Sequence, residues 1–116
     1  MNDFTFTSER CLIGSVYSEE TAYSDLEIKE LCRTLGLQVC NSIAQARKSF
    51  YPATCFGTGK VEEMKEIVEE KKIDLVVVDT DLTATQIRNL ENLLQKPVLD
   101  RSGVILQIFS NHAIST

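Results

Sequence analysis

The run Ile73-Asp74-Leu75-Val76-Val77-Val78 constrains the fold more than any other segment. Four consecutive aliphatic residues leave a strand no polar face, so both of its sides must be covered. Strands of this kind lie inside parallel sheets, with helices packed above and below. The run ends in Asp79, and a polar turn follows. Thr83-Ala84-Thr85-Gln86 then has the Thr-x-x-Gln form of a capping box. The helix it opens runs to about Gln95, with Ile87, Leu90, Leu93 and Leu94 on its inner face. Pro97-Val98-Leu99 reads as a short strand, with Pro as its first residue. Ser102 is a candidate cap for a last helix that turns Val104, Ile105, Ile108 and Phe109 inward.

The same alternation extends upstream. Arg10 to Val16 is a first strand. Ser24-Asp25-Leu26-Glu27 has the form of a second capping box, and Ile28, Leu31, Cys32 and Leu35 follow at helical spacing. Gly36 stands where a helix C-terminal cap belongs. Leu37 to Ile43 is a second strand, and residues 44–53 form a loop with a basic tip at Arg47 and Lys48. Thr54-Cys55-Phe56-Gly57 reads as a short third strand. Gly57-Thr58-Gly59 turns from it into a helix over about Lys60 to Lys72, with Val61, Met64, Ile67 and Val68 as its apolar stripe. Its many Glu and Lys residues are read as a solvated face. About ten residues separate the second and third strands, short for a parallel crossover, so the third strand is expected at an edge or antiparallel. The expected fold is α/β and three-layered: a mainly parallel sheet of 4–5 strands with helices on both faces.

Size and charge limit what such a domain does. A chain of 116 residues suits one domain and buries roughly two-thirds of its unfolded surface. A net charge of -5 argues against autonomous binding to a phosphate backbone, which needs clustered Lys and Arg. No apolar run approaches the ~20 residues that span a bilayer, and the N-terminus has no basic start or apolar core of a signal peptide. The chain is therefore read as cytoplasmic, with no membrane partner. Cys11, Cys32, Cys40 and Cys55 show no CxxC spacing and fall at core positions, as reduced thiols acting as small hydrophobes. His112 is the only histidine and has no acid or nucleophile beside it. No metal site and no catalytic constellation is expected.

Several positions are candidates for binding. Gly57-Thr58-Gly59-Lys60 joins a strand to a helix. Its glycines admit close approach, its helix-start N–H groups favour an anion, and Lys60 adds a charge. It is not a Walker A motif, since Thr54 stands at the first glycine position and Val61 replaces the magnesium-binding hydroxyl. Three roles fit: a plain glycine-rich turn, a phosphate or nucleotide contact, or a contact with another domain or RNA. Asp79 ends a strand, where α/β sheets place ligands. A phosphoacceptor role for Asp79 lacks companions, because the first strand ends in Gly14-Ser15-Val16 rather than carboxylates. Asp81 shapes the turn before Thr83. Asp100 and Arg101 form either an ion pair or hydrogen-bond staple fixing the last helix, or a contact to phosphate or a partner.

Four blocks taken in order carry a resemblance. They are Phe56-Gly57-Thr58-Gly59-Lys60-Val61-Glu62-Glu63, Asp79-Thr80-Asp81-Leu82-Thr83, Gln86-Ile87-Arg88-Asn89-Leu90-Glu91, and Val98 to Phe109 with its Asp100-Arg101 pair. In order and spacing, residues 10–113 resemble the N-terminal domain of HflX-type GTPases. The resemblance implies an α/β domain over 10–113, a tail over 1–9, and at 114–116 the start of a connection to a helical hairpin and a GTPase domain. One departure is Asn111-His112, where the family usually carries a basic pair. This chain contains neither GxxxxGK[ST] nor a base-reading Asn-Lys-x-Asp, so GTP and magnesium are implied for the absent GTPase domain and no cofactor for this chain. The resemblance also implies docking on the large ribosomal subunit, restraint of the protein's own GTPase domain, and weak adenine-nucleotide binding. Val104, Ile105, Leu106, Ile108 and Phe109 make the last helix broadly apolar, an expected surface for the hairpin or for self-association. A small ATP-dependent enzyme built on Gly57–Lys60, Asp79 and Asp100 is the alternative.

Overall fold

The computed structural model describes residues 8–18, 23–46 and 52–114, with helix backbone but no side-chain surroundings over 111–114. The elements run β1 (Arg10–Tyr17), α1 (Leu26–Thr34), β2 (Gln38–Ala46), α2 (Thr58–Glu70), β3 (Leu75–Val78), α3 (Ala84–Leu94), β4 (Val98–Asp100) and α4 (Arg101–Ile114). The expected tail through residue 7, the basic tip at Arg47 and Lys48, and the side chain of His112 lie outside the described residues.

The strands form one sheet in the order β2-β1-β3-β4, with every pair parallel. β3 occupies the interior position its composition requires, and all four of its residues are buried. Successive side chains alternate between two cores. Leu12, Val76 and Val78 face α2 and α3, where Val61, Met64, Leu90 and Leu94 meet them. Cys11, Ile13, Leu75 and Val77 face the opposite core with Ile28 and Cys32 of α1 and Val104 of α4. The expected three-layer α/β fold is what the chain adopts.

Residues 54–57 form no strand, against the sequence expectation. β2 instead runs on to Ala46, and the chain from there through α2 makes the crossover to β3. That longer connection removes the difficulty of a ten-residue parallel link. Phe56 is apolar because it plugs the core: it is buried, and with Met64 it closes on Gly14 of β1. A Cβ at Gly14 would lie 3.2 Å from both Met64 Cε and Phe56 Cζ.

The helix ends follow local chemistry with two exceptions. The Thr83 box forms in full, with the Gln86 amide donating to Thr83 Oγ1 at 3.1 Å and the Thr83 amide to Gln86 Oε1 at 3.0 Å. Gly36 takes a positive φ of 95° as α1 ends. The box expected at Ser24 does not form. Asp25 is the N-cap residue and makes no side-chain capping bond, because its carboxylate accepts from Ser42 and Glu27 pairs with Arg101. Ser102 is not the cap of α4 either. Asp100 Oδ1 accepts from the Gly103 amide at 2.8 Å, while Ser102 Oγ donates to Asp81 at 2.6 Å. Pro97 lies just outside β4 and still accepts from the Val76 amide at 2.9 Å.

Replacing Gly14 with valine tests the packing of Phe56 and Met64 on β1. The added branches must push aside two buried side chains, so Gly14→Val should destabilise the fold by about 1–3 kcal/mol. Urea denaturation followed by circular dichroism reads this directly.

Candidate functional site

In a parallel sheet each connection leaves from a strand's C-terminal end, so the starts of all four helices gather along one rim. β1 continues into α1 on one face, whereas β3 continues into α3 on the other. The two strands are neighbours, which makes their C-terminal ends the switch point where α/β sheets open a crevice. Asp79 stands there, its amide donating to the Gly14 carbonyl at 2.9 Å.

A polar network occupies the α1/α4 side of this rim. The Arg101 guanidinium donates to Asp79 Oδ1 at 3.1 Å and to Glu27 Oε1 at 2.8 Å. One side chain at the start of α4 therefore ties the end of β3 to the first turn of α1. Next to it, Ser42 Oγ of β2 donates to Asp25 Oδ2 at 2.7 Å, and Lys29 pairs with Asp25 at 3.0 Å. Asp100 uses both oxygens on backbone amides, Oδ2 accepting from Leu82 at 3.0 Å and Oδ1 from Gly103. Asp100 is thus a staple between the β3–α3 turn and α4, but it does not pair with Arg101; Arg101 reaches Asp79 and Glu27 instead. Ser15 is buried on β1, and its Oγ has no hydrogen-bond partner among the described residues.

The network's electrostatics have opposed signs. Burial raises the Asp79 carboxyl above its ordinary value, and the Arg101 hydrogen bond only partly offsets that. The hydrogen bond from Ser42, then that from Lys29, lowers Asp25. Arg101 is itself raised, chiefly by Glu27. In the core below, the hydrogen bond with Cys32 and burial hold the Cys11 thiol far above its usual range, so it is a packing group rather than a nucleophile.

The Gly57–Lys60 turn is also on the rim but in a separate set of bonds. Gly57 is the N-cap of α2, with no side-chain cap, and its amide donates to Gln45 Oε1 at 3.1 Å. Thr58, Gly59 and Lys60 form the first turn. Lys60 pairs with Glu63 at 3.0 Å, so its charge is already engaged within its own helix. A Cβ at Gly59 would meet nothing within 4 Å, which leaves that side of the turn open. The structure joins Asp79 to Arg101 but joins neither to the glycine turn. Sequence reasoning missed Glu27, Asp25, Ser42 and Gln45. Glu27 and Asp25 had looked like local helix-start residues, and their true partners lie far away in the chain.

A family model described as GTP-binding GTPase N-terminal matches residues 23–110. The chain belongs to this family. It is 38% identical over 116 residues to the GTPase HflX of Caldanaerobacter subterraneus subsp. tengcongensis, covering 99% of this chain and 27% of that protein. It is 33% identical over 103 residues to the GTPase HflX of Escherichia coli K12, covering 88% of this chain and 24% of the relative. The chain thus spans about a quarter of the length of these relatives. Among solved structures, SsGBP in complex with GDP superposes with a TM-score of 0.73 at 21% identity, over 93% of this chain and 31% of that one. A GTP-binding protein of Sulfolobus solfataricus in complex with GDP gives 0.64 at 20% identity, over 85% and 30%. These two likenesses establish the shared fold. The matched span of this HflX-type N-terminal domain includes the glycine turn, Asp79 and the Asp100-Arg101 step.

Removing Arg101 should expose the cost of burying Asp79. Arg101→Met should destabilise the fold by about 1–3 kcal/mol at pH 7, the scale of a lost charged hydrogen bond. Because the folded-state carboxyl is raised, Asp79 takes up a proton before its unfolded counterpart does. Its burden on stability is absent below the unfolded value and is felt once pH rises through the folded one. The deficit of Arg101→Met should therefore shrink as pH falls from neutrality toward the carboxylate range. Urea denaturation of both proteins across that range measures it; a deficit that widens with acid would contradict the assignment.

Proposed function

We propose that this chain is the N-terminal binding and regulatory domain of a cytoplasmic HflX-type GTP-binding protein. It helps seat the GTPase on the large ribosomal subunit and restrains its own GTPase domain. The observation that carries this reading is the surface of α4. Val104 anchors that helix in the core, and Arg101 straps its start to β3 and α1. Leu106 and Phe109, nearly one turn apart, are nevertheless 64% and 67% exposed. An apolar strip on a firmly held helix is the form of a docking face. The family resemblance supplies its occupants: the helical hairpin and GTPase domain that follow such N-terminal domains. GTP and magnesium belong to that GTPase domain. This chain carries neither GTPase motif, and on this reading it hydrolyses no nucleotide alone.

The glycine turn supports a subordinate role. The open side of Gly59 and the uncapped start of α2 suit a weak anion contact, phosphate or adenine nucleotide, at Gly57–Lys60. Asp79, Asp100 and Arg101 act on this reading as a structural brace in their own set of bonds, apart from the turn.

In the full-length protein, Leu106→Ser with Phe109→Ser should raise GTP hydrolysis several-fold in the absence of ribosomes and weaken co-sedimentation with large subunits. Unchanged hydrolysis and unchanged sedimentation would refute the docking role. For the turn, NMR titration of this chain with ATP or phosphate should show shifts centred on residues 57–60, reduced about fivefold in affinity by Lys60→Ala. Turnover of ATP by the chain alone would favour the enzymatic alternative.

A further inference from the structure

The two edges of the sheet differ in a way that bears on assembly. β4 is three residues long and begins directly after Pro97, a blunted edge. β2 is nine residues long, Gln38–Ala46, and its sequence QVCNSIAQA contains no charge, proline or glycine. Among the described residues no strand lies beyond it. An edge of this length and neutrality is a template for strand pairing.

The register shows which groups the edge offers. The Gln38 amide donates to the Glu9 carbonyl, so Gln38, the partner of Arg10, turns toward β1. The register shifts by one residue after Val39, and Leu12, Gly14 and Val16 then partner Asn41, Ile43 and Gln45. Backbone groups alternate in a parallel ladder, so Ser42, Ala44 and Ala46 turn outward. The Ser42 amide is answered by Asn41 Oδ1 at 2.8 Å. Ala44 offers its amide and carbonyl to whatever lies outside.

α1 walls this edge on one face and makes it a groove. A cleft of about 490 Å³ lies between the N-cap Asp25 with Lys29 and Arg33 of α1 and Val39, Asn41, Ser42 and Ala44 of β2. The wall has a direction. Its acid, Asp25, stands at the N-terminal end and its bases, Lys29 and Arg33, follow toward the other end. Lys29 pairs with Asp25, and Arg33 pairs with Glu30 at 2.7 Å, with the latter pair well exposed. The exposed Arg33–Glu30 pair contributes little, which leaves Arg33 able to take another partner.

We propose that this groove takes a second copy of the same chain, with β2 pairing antiparallel to β2 about a two-fold axis. Two identical edges related by a two-fold run antiparallel, and the contact is isologous. The same operation reverses the α1 wall, so the acidic end of one wall meets the basic end of the other. This charge complementarity selects a second copy over an unrelated extended peptide, for which the wall's reversal of sign has no special use. The product is one continuous sheet through both copies, with α4 of each copy left free on its own side of the interface.

Analytical ultracentrifugation of the 116-residue chain tests this across concentrations up to about 1 mM, the weak end of specific association. A monomer–dimer equilibrium is expected. Ala44→Pro removes an N–H that β1 does not use, so the fold should persist by circular dichroism while the dimer is lost. Arg33→Glu lies on the exposed wall and should raise the dimer dissociation constant about tenfold, which provides a second reading should the proline variant fold poorly. Three results would overturn the proposal: a monomer at every concentration; a dimer indifferent to Arg33→Glu and to a folded Ala44→Pro; or a dimer abolished by Leu106→Ser, which would move the contact to α4. A monomer that dimerises only after removal of residues 1–7 would also overturn it, by assigning the edge to the chain's own N-terminal segment.

Discussion

The pairing of β1 with β3 is the constraint on which the rest depends. The Asp74 amide donates to the Arg10 carbonyl at 2.7 Å where the ladder starts, and the Asp79 amide donates to Gly14 where it ends. Between these bonds, Cys11 to Gly14 lie beside Leu75 to Val78 in parallel register. Neither strand has a face left for water. Each side chain on the pair must find one of two helix layers, and this requirement divides the four helices between the faces. The start of the ladder is locked further by Arg10, whose amide donates to Asp74 Oδ2 and whose guanidinium caps the Lys71 carbonyl at the end of α2.

The same ladder positions the rim. Its final residue delivers Asp79 half-buried to the C-terminal edge, where a carboxylate without a partner would be costly. Arg101 answers it from α4 and reaches on to Glu27 of α1. Asp100, one residue earlier, fixes the β3–α3 turn and the start of α4 through backbone amides. Adjacent residues thus perform separate tasks, Asp100 holding backbone and Arg101 holding charge. The consequence is an α4 whose base is immobilised while Leu106 and Phe109 remain outside, which links the chemistry of the rim to the proposed docking face.

Features encoded by near neighbours were legible in the sequence. The Val76-Val77-Val78 run announced a covered interior strand, and Thr83 with Gln86 announced a helix start that forms as written. Features set by distant partners were not. Phe56 resembles a strand residue until Gly14 and Met64 are seen around it. Glu27 has the position of a capping-box residue, but Arg101, 74 residues away, claims its carboxylate. Asp100 and Arg101 were recognisable as structurally important, yet their adjacency suggested a pair where the structure makes two independent connections. The glycine turn was located correctly at the start of α2, while its separation from the Asp79 network depends on which face of the sheet each helix covers.

Native-state amide hydrogen exchange of the β1–β3 pair tests the central claim most directly. If this ladder organises both cores, the amides of Leu12, Gly14 and Val77, which turn toward the partner strand, exchange only when the whole domain unfolds. Their exchange free energies should then equal the global unfolding free energy from denaturant titration, and should fall with it in Gly14→Val. Exchange of these amides through local opening, at free energies well below the global value, would contradict the account.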